Sequence, residues 1–508
     1  MQLIRQGSRR LSWKAPRGFN GPKPLTAIDV ATWGSWMTPG IESRPKVNLV
    51  FNGGGAAGVA LVGALKPLLK SLAVCGVSGT SAGAITGALV AAGYGADTIT
   101  ERTRAFKLLE LLDLRDESDD AVKQAYWSCA RLESPDWVTQ IITNNKRLRD
   151  MMFVKDQSRQ MWAGKSWPQY LRDYAYWAVG AGDSLKLSAA SWALGDTAVD
   201  LLMQQLQTLT QGLPSAIASK LQDKDQALRI LLSIYYLGGA CKGDEAITVI
   251  EKWLQEAIYG EYQPARTVTF RDLPIPLTIV ATDLTNHRLV NFPFDLAGAP
   301  YNYPDPLDFP VAWAIRCSMS IPLVYEPMRL YYWGGAPDTG DFALFVDGGV
   351  GSNFPLHPFV GDQYKTIGLW LGSDPYGCVP GNPCTVVGYA QGMLGAISRC
   401  HDQTMMKIMG EDLLPCPIDM TIPLSPHERL RWTEKAERLT AQIAAAAERG
   451  DVIAQLELKR QLRQIETELK DGRQCGTMDF GVTMDQKETL IRNGEIAGEK
   501  VLARLQTE

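Results

Sequence analysis

Two glycine-rich turns and one serine are the residues of this 508-residue chain whose spacing points to chemistry. One apolar run leads into Gly53-Gly54-Gly55-Ala56-Ala57-Gly58, and a second leads into Gly79-Thr80-Ser81-Ala82-Gly83. The second is a G-x-S-x-G pattern, whose glycines allow a tight strand-to-helix turn that exposes the serine Oγ. The first offers main-chain N–H groups that can hold a developing oxyanion. Together they predict an acyl-transfer site with Ser81 as the nucleophile.

The first turn has a competing interpretation. It also matches the dinucleotide-binding pattern G-x-G-x-x-G, which stands between a strand and a helix. That pattern needs an acidic residue about twenty positions further on, to bind the ribose. The chain has no Asp or Glu between Glu42 and Asp97, so a nucleotide site is the disfavoured alternative.

A serine nucleophile needs a base, and Asp347 is the candidate. It follows an apolar strand pattern and precedes Gly348 and Gly349, which let the backbone turn away and leave a carboxylate at a strand end. His357 comes ten residues later and would complete the order Ser, Asp, His. No other feature of the sequence supports that triad, so it is the weaker alternative.

The elements around these residues predict a parallel α/β sheet. Strand patterns at 47–51 and 74–78 alternate with helical patterns at 58–72 and 81–92. Further strands are predicted at 268–270, 277–281, 344–346 and 366–370. The stretch 71–96 has no charged residue and is long enough for a membrane-spanning helix. Its small residues and its glycine turn instead favour a buried strand-turn-helix.

The residue patterns in the rest of the chain predict additional helices around this core. Helical patterns fill the middle of the chain, and Gly450 separates two charged helical patterns near the end. The predicted organisation is a basic arm at 1–45, a catalytic core at 46–104 and 266–425, an inserted helical block at 105–265 that would cap the site, a helical hairpin at 426–473, and a C-terminal segment at 474–508 that packs on the core.

Composition excludes some classes of partner. The formal net charge of -4 gives no global attraction for nucleic acid. The nine cysteines have no metal-site or disulfide-framework spacing, which fits a reduced cytoplasmic setting. We therefore predict no metal, no cofactor and no nucleic-acid partner.

Taken in order, these motifs resemble the signature elements of the patatin-like phospholipase family. The glycine turn, the serine elbow and Asp347-Gly348-Gly349 match, as do the segment from Ala314 to Pro322 and, after the aspartate, Asn353 and Pro355. Thr477 to Phe480 matches as well, and the resemblance covers 46–104, 266–425 and 474–506. In the family a Lys or Arg usually stands where Ala57 lies here.

The resemblance implies a three-layer α/β fold with a mostly parallel central sheet, and a Ser-Asp dyad of Ser81 and Asp347. It implies an oxyanion hole in the glycine turn, formed by Gly53, Gly54, Gly55, Ala56 and Gly58. It also implies that the glycines of the other two motifs support the site; these are Gly79, Gly83, Gly348 and Gly349.

The function implied is a lipid acyl hydrolase of phospholipase A type that acts on phospholipid or other lipid esters at a membrane surface. This places the protein in the cytoplasm as a peripheral membrane protein, with export into another cell left open. The alternatives are a transacylase and a catalytically impaired interaction or regulatory protein. The hairpin at 426–473 is a candidate surface for a protein partner or for self-association.

Overall fold

A mixed sheet of eight strands forms the centre of the molecule. The computed structural model describes residues 44–114, 236–334, 341–376 and 386–507, with two short N-terminal strands and a few residues between 121 and 234. The strands are β1 (Ile4–Gln6), β2 (Arg10–Ser12), β3 (Lys46–Phe51), β4 (Ala73–Thr80), β5 (Gly239–Cys241), β6 (Leu277–Asp283), β7 (Arg288–Phe292), β8 (Leu323–Tyr325), β9 (Met328–Tyr331), β10 (Phe342–Asp347), β11 (Lys365–Leu371), β12 (Leu413–Ile418), β13 (Thr421–Ile422) and β14 (Arg473–Gln474).

The order of strands in the sheet is β12-β11-β3-β4-β6-β10-β9, and β7 also pairs with β6. The five strands from β12 to β6 run parallel, whereas β7, β9 and β10 are antiparallel to their neighbours. The prediction of an α/β fold with a mostly parallel central sheet is therefore confirmed. Because the carboxyl ends of parallel strands share one edge, the turns after β3 and β4 lie side by side there.

Helices cover both faces of this sheet. They are α1 (Val59–Ser71), α2 (Ala82–Ala91), α3 (Ala96–Ala105), α4 (Asp244–Tyr259), α5 (Val311–Ser318), α6 (Val386–Met409), α7 (Pro426–Glu448), α8 (Val452–Asp471) and α9 (Met484–Leu505). Leu49 and Phe51 of β3 share a core with α1, α2 and α9. Val50 points to the opposite face, where it joins Met406 and Met409 of α6. This alternation gives three layers, as expected for a strand buried on both faces.

The two charged helical patterns form a pair, α7 and α8. The guanidinium of Arg429 near the start of α7 donates to the carbonyl of Leu469 near the end of α8, at 3.0 Å, so the helices run antiparallel. Gly450 stands between them with a φ of 67°, a conformation that glycine adopts without the steric cost of a Cβ. The helix that follows, α9, packs along α1 in the core.

One predicted strand is wrong. Residues 268–270 contribute a single bridge, between Thr269 and Pro310, and then form a 3₁₀ turn, Phe270–Asp272. The cause is a capping box, in which Thr269 and Asp272 satisfy each other's backbone N–H groups and stabilise a helical turn. The side-chain bonds compete with strand pairing.

Two parts of the predicted organisation fall largely outside the described residues. These are the basic arm, of which 13–43 are not described, and the inserted block, of which 130–216 are not described. The C-terminal part of the block contains β5, which pairs with β8 of the core, and α4. Among the helices that the structure describes, none is both long and apolar enough to cross a membrane.

Candidate active site

Ser81 occupies the sharp turn between β4 and α2. Its backbone has φ 54° and ψ -123°, outside the common regions for a residue with a Cβ, and its side chain is 2% exposed. The turn packs tightly on β3, since a Cβ at Gly83 would lie 2.4 Å from the carbonyl oxygen of Phe51. Gly79 lies against the backbone of Gly83 in the same way. The glycines thus allow the strained turn that the sequence pattern predicts.

Asp347 ends β10 at the same edge of the sheet. Its Oδ1 accepts the Gly349 N–H at 2.7 Å, whereas its buried Oδ2 has no hydrogen-bond partner among the described residues. Burial raises the pKa of Asp347 to about 6, against the lowering effects of the Gly349 amide and the Ser81 hydroxyl. Gly348 begins the short 3₁₀ turn that follows, Gly348–Val350. The structure therefore brings Asp347 to Ser81 with one carboxylate oxygen unused.

A single turn after α5 holds both residues. The Ser81 N–H donates to the Ser318 Oγ at 2.8 Å, and that hydroxyl donates to the Val280 carbonyl at 2.6 Å. Two residues on, the Ser320 carbonyl accepts the Asp347 N–H at 2.9 Å. Residues 318–320 thereby set the spacing between Ser81 and Asp347. In the sequence this segment is part of the family resemblance, and no local pattern predicts a role for its two serines.

Arg316 anchors this turn from within the core. It is 1% exposed, and its guanidinium donates to the carbonyls of Gly243 at 3.1 Å and Glu326 at 2.8 Å. It also donates to the Lys242 carbonyl at 2.5 Å and to the Ser320 hydroxyl. A buried charge without such partners would be strongly unfavourable. These bonds tie the turn to the residues just before α4.

The glycine turn after β3 presents two amides that have no acceptor among the described residues. The Gly53 N–H donates to the Asn353 carbonyl at 2.8 Å, and the Ala56 N–H to the Thr477 carbonyl at 3.0 Å. Within the described part of the chain, the N–H groups of Gly54 and Gly55 donate to nothing, and both residues are half-buried. Gly58 directly precedes α1 as its N-cap residue and lies beside Ala82 of the serine elbow. Of the five predicted oxyanion residues, Gly54 and Gly55 have free donors among the described residues, and Gly55 also lines the pocket that opens at Ser81.

The structure does not bring His357 to the site. Its Nε2 pairs with the side-chain oxygen of Asn291, and its ring packs edge-on against His401, with ring centres 5.7 Å apart. Burial lowers the pKa of His357 to about 4. Neither ring nitrogen contacts Ser81 or Asp347, so the three residues do not form a triad.

An apolar pocket opens at Ser81. It has an empty volume of about 790 Å³, which includes the space open to solvent. Gly55, Gly58 and Ser81 form its polar end, and nearly all its other lining groups are apolar. The side chains that line it come mainly from α1, α2, α4 and the segments around 106 and 320; they include Val59, Val62, Ile85, Phe106, Trp253 and Ile321.

Trp253 of α4 lies toward the far end of the pocket. Its carbonyl accepts the Tyr94 hydroxyl at 2.9 Å, and Tyr94 follows the C-terminal end of α2, whereas Ser81 stands at the N-terminal end. Ten helical residues separate these ends by about 15 Å. The Trp253 ring meets Phe106 edge-on at 5.3 Å. This wall is held from behind by Lys487, whose ammonium donates to the carbonyl of Phe106.

The described residues contain no group of three or more His, Cys, Asp or Glu side chains arranged to hold a metal ion. The groups that surround Ser81 are a carboxyl, a hydroxyl and main-chain amides. This set is suited to proton transfer and to the binding of a negatively charged oxygen.

Comparison with known proteins adds a family to this geometry. The family model described as patatin-like phospholipase matches residues 49–360. The uncharacterized protein YqhO of Bacillus subtilis (strain 168) is 37% identical over 143 residues, which are 27% of this chain and 41% of YqhO. The match therefore spans less than half the length of that relative.

Alignments with two solved structures also cover most of the chain. VipD from Legionella pneumophila is 13% identical with a TM-score of 0.28, covering 92% of this chain and 86% of VipD. ExoU from the type III secretion system of Pseudomonas aeruginosa, solved in complex with SpcU, is 16% identical with a TM-score of 0.23, covering 89% of this chain and 77% of that chain.

Proposed function

The chain belongs to the patatin-like phospholipase family, and we propose that it is a lipid acyl hydrolase of phospholipase A type that works through a dyad of Ser81 and Asp347. The observation that carries the proposal is the buried Oδ2 of Asp347, which has no hydrogen-bond partner among the described residues and belongs to a carboxyl close enough to Ser81 for the serine hydroxyl to lower its pKa. A base with a pKa near 6 is ionised at neutral pH and still accepts a proton readily.

The reaction that this arrangement supports has two halves. The Ser81 Oγ attacks the acyl carbonyl while Asp347 takes the serine proton, and the amides of Gly54 and Gly55 bind the resulting oxyanion. Collapse of this intermediate breaks the ester bond, and the leaving alcohol receives the proton from Asp347. Water then attacks the acyl-enzyme with Asp347 again as the base, which releases the fatty acid and restores Ser81.

The apolar pocket supports a long acyl chain as the part of the substrate that binds. A fatty acyl chain has no polar group to satisfy beyond its carbonyl, and most of the residues that line the pocket are apolar. We extend the proposal to a peripheral position at a membrane surface, where such chains are found. Binding of the hairpin at 426–473 to a protein partner or to a second copy stays a prediction.

The decisive experiment measures fatty acid released from phospholipid vesicles by the full chain, with product analysis by mass spectrometry. We expect wild type to release fatty acid and lysophospholipid, and Ser81→Ala and Asp347→Asn to lose at least about a thousandfold in rate. Ser71→Ala and Asp362→Asn are matched controls, since Ser71 ends α1 far from the site and Asp362 is exposed before β11. Undiminished release by Ser81→Ala would contradict the proposal.

Two further measurements separate the alternatives. A fluorophosphonate forms a covalent bond with an activated serine, so labelling of wild type and not of Ser81→Ala supports a working nucleophile. A folded wild-type protein that never labels would instead favour the interaction or regulatory protein. Adding an acceptor alcohol distinguishes a transacylase, which would form a new ester in place of free fatty acid.

A further inference from the structure

The glycine turn is held at its first end by a reciprocal pair of hydrogen bonds. The Gly53 N–H donates to the Asn353 carbonyl at 2.8 Å, and the Asn353 side-chain amide donates back to the Gly53 carbonyl at 2.9 Å. The side chain of Asn52 also donates to the Asn353 carbonyl, at 2.9 Å. Since a glycine has no side chain to pack, its place depends on such bonds.

Asn353 is in turn fixed by a buried carboxylate from α6. Asp402 is 1% exposed; its Oδ2 accepts the Asn353 N–H at 3.0 Å, and its Oδ1 accepts the Ser352 hydroxyl at 2.7 Å. The Ser352 carbonyl accepts the hydroxyl of Thr80, the residue before the nucleophile, at 3.0 Å. Asp402 thus holds the segment that contacts both the glycine turn and the serine elbow.

A second carboxylate serves the other end of the turn. The Ala56 N–H donates to the Thr477 carbonyl at 3.0 Å. Thr477 lies in a tight turn closed by Asp479, whose Oδ2 accepts the Gly476 N–H at 2.6 Å and the Arg473 guanidinium at 2.5 Å. Arg473 is tied to Glu428 near the start of α7, at 2.6 Å.

We propose that Asp402 and Asp479 are positioning residues for the oxyanion turn, each holding one end so that the free amides of Gly54 and Gly55 between them stay aimed at one point. Both carboxylates lie outside residues 49–360, where the family model matches. The inference rests on the proposed function, because it assigns these amides to the oxyanion. Fixed donors stabilise a transition state only if their geometry is set before reaction.

The test replaces each carboxylate and separates catalysis from binding. Asp402→Ala and Asp479→Ala remove the acceptors, and we expect kcat to fall on the order of 10- to 100-fold, below the loss of a whole oxyanion donor and in the range of a small misplacement. KM should stay within about twofold, because the oxyanion forms only in the transition state. Asp402→Asn keeps an acceptor for the Asn353 N–H and should recover most of the rate.

Glu411→Gln is the matched control, since this carboxylate is exposed just beyond α6 and should leave both constants unchanged. If Asp402→Ala fails to fold, Asp479→Ala carries the test, and wild-type kcat in that variant then overturns the proposal. Wild-type kcat in both alanine variants would overturn the proposal, as would an equal loss in kcat for Asp402→Asn and Asp402→Ala.

Hydrogen exchange followed by mass spectrometry gives a readout that needs no activity. Peptides that contain residues 53–57 should exchange faster in either alanine variant, while peptides from β6 and β11 should not change. If exchange is faster in the alanine variants but the wild-type protein neither reacts with the fluorophosphonate nor hydrolyses lipid, the proposed function is rejected and the positioning role is kept. Unchanged exchange in a variant that retains full activity would reject the positioning role alone.

Discussion

Replacing Asp347 with Asn should make the protein more stable while it abolishes activity. The pKa of Asp347 rises from 3.8 to about 6 because the carboxyl is buried. Each pKa unit corresponds to about 1.4 kcal/mol, so keeping this group ionised at pH 8 costs the folded chain about 3 kcal/mol relative to the unfolded chain. An Asn side chain has similar shape and carries no charge, so it avoids that cost.

The direction of the pH dependence follows from the raised pKa. Well below pH 4 the carboxyl is neutral in both states, and the two proteins should be equally stable apart from local contacts. As the pH rises from about 4 to above 6, the wild type loses stability relative to Asp347→Asn, because the unfolded chain ionises first. The gap should be about half its full size at pH 5 and constant above pH 7.

Urea unfolding of both proteins at pH 5 and pH 8 measures this gap through the midpoints and a shared slope. Asp362→Asn, which removes an exposed carboxylate, should shift stability by less than about 0.5 kcal/mol at either pH. The reasoning is refuted if Asp347→Asn is no more stable than wild type at pH 8, or if the gap is the same at both pH values. Either result would mean that the carboxylate is well solvated or well paired in the folded protein.

Three other outcomes follow from the same site. With wild type, kcat/KM for a fluorogenic phospholipid should rise tenfold per pH unit up to about pH 6 and then level off, because Asp347 must be ionised to accept the proton; a profile flat down to pH 4 would contradict this. Trp253→Ala should raise the ratio of kcat/KM for long acyl chains to kcat/KM for short ones, because it removes part of the far wall of the pocket. Trp432 on α7 does not line the pocket, so Trp432→Ala should leave this ratio unchanged. Ser318→Ala should cost about 2 kcal/mol in urea unfolding, because it leaves the Ser81 N–H and the Val280 carbonyl without their partner; a loss below about 0.5 kcal/mol would show that this hydroxyl is dispensable.

A local sequence pattern predicts only part of the structure of the glycine turn at Gly53 to Gly58. Its glycines and its place after a strand are local features, and they predicted main-chain donors at Gly53 to Gly58. Which amides stay free depends on Asn353 and Thr477, which lie about 300 and 420 positions further along the chain. No local pattern encodes such a pairing.

His357 is a second case in which spacing in the sequence does not predict position in the fold. The order Ser81, Asp347, His357 is compatible with a triad, and spacing alone left that alternative open. In the folded chain the His357 ring is directed to Asn291 and His401, because the turn after Asp347 carries it away from the strand edge.

The sequence by itself determined the strand-turn-helix units, the tight turn at Ser81 and the place of Asp347 at a strand end, because each rests on a pattern within about ten residues. Tertiary structure alone decided which amides remain free, that residues 318–320 hold Ser81 and Asp347 together, and that Asp402 and Asp479 support the turn. These features arise where segments far apart in the chain meet at one edge of the sheet, and their hydrogen bonds exist only once the strands have assembled in order.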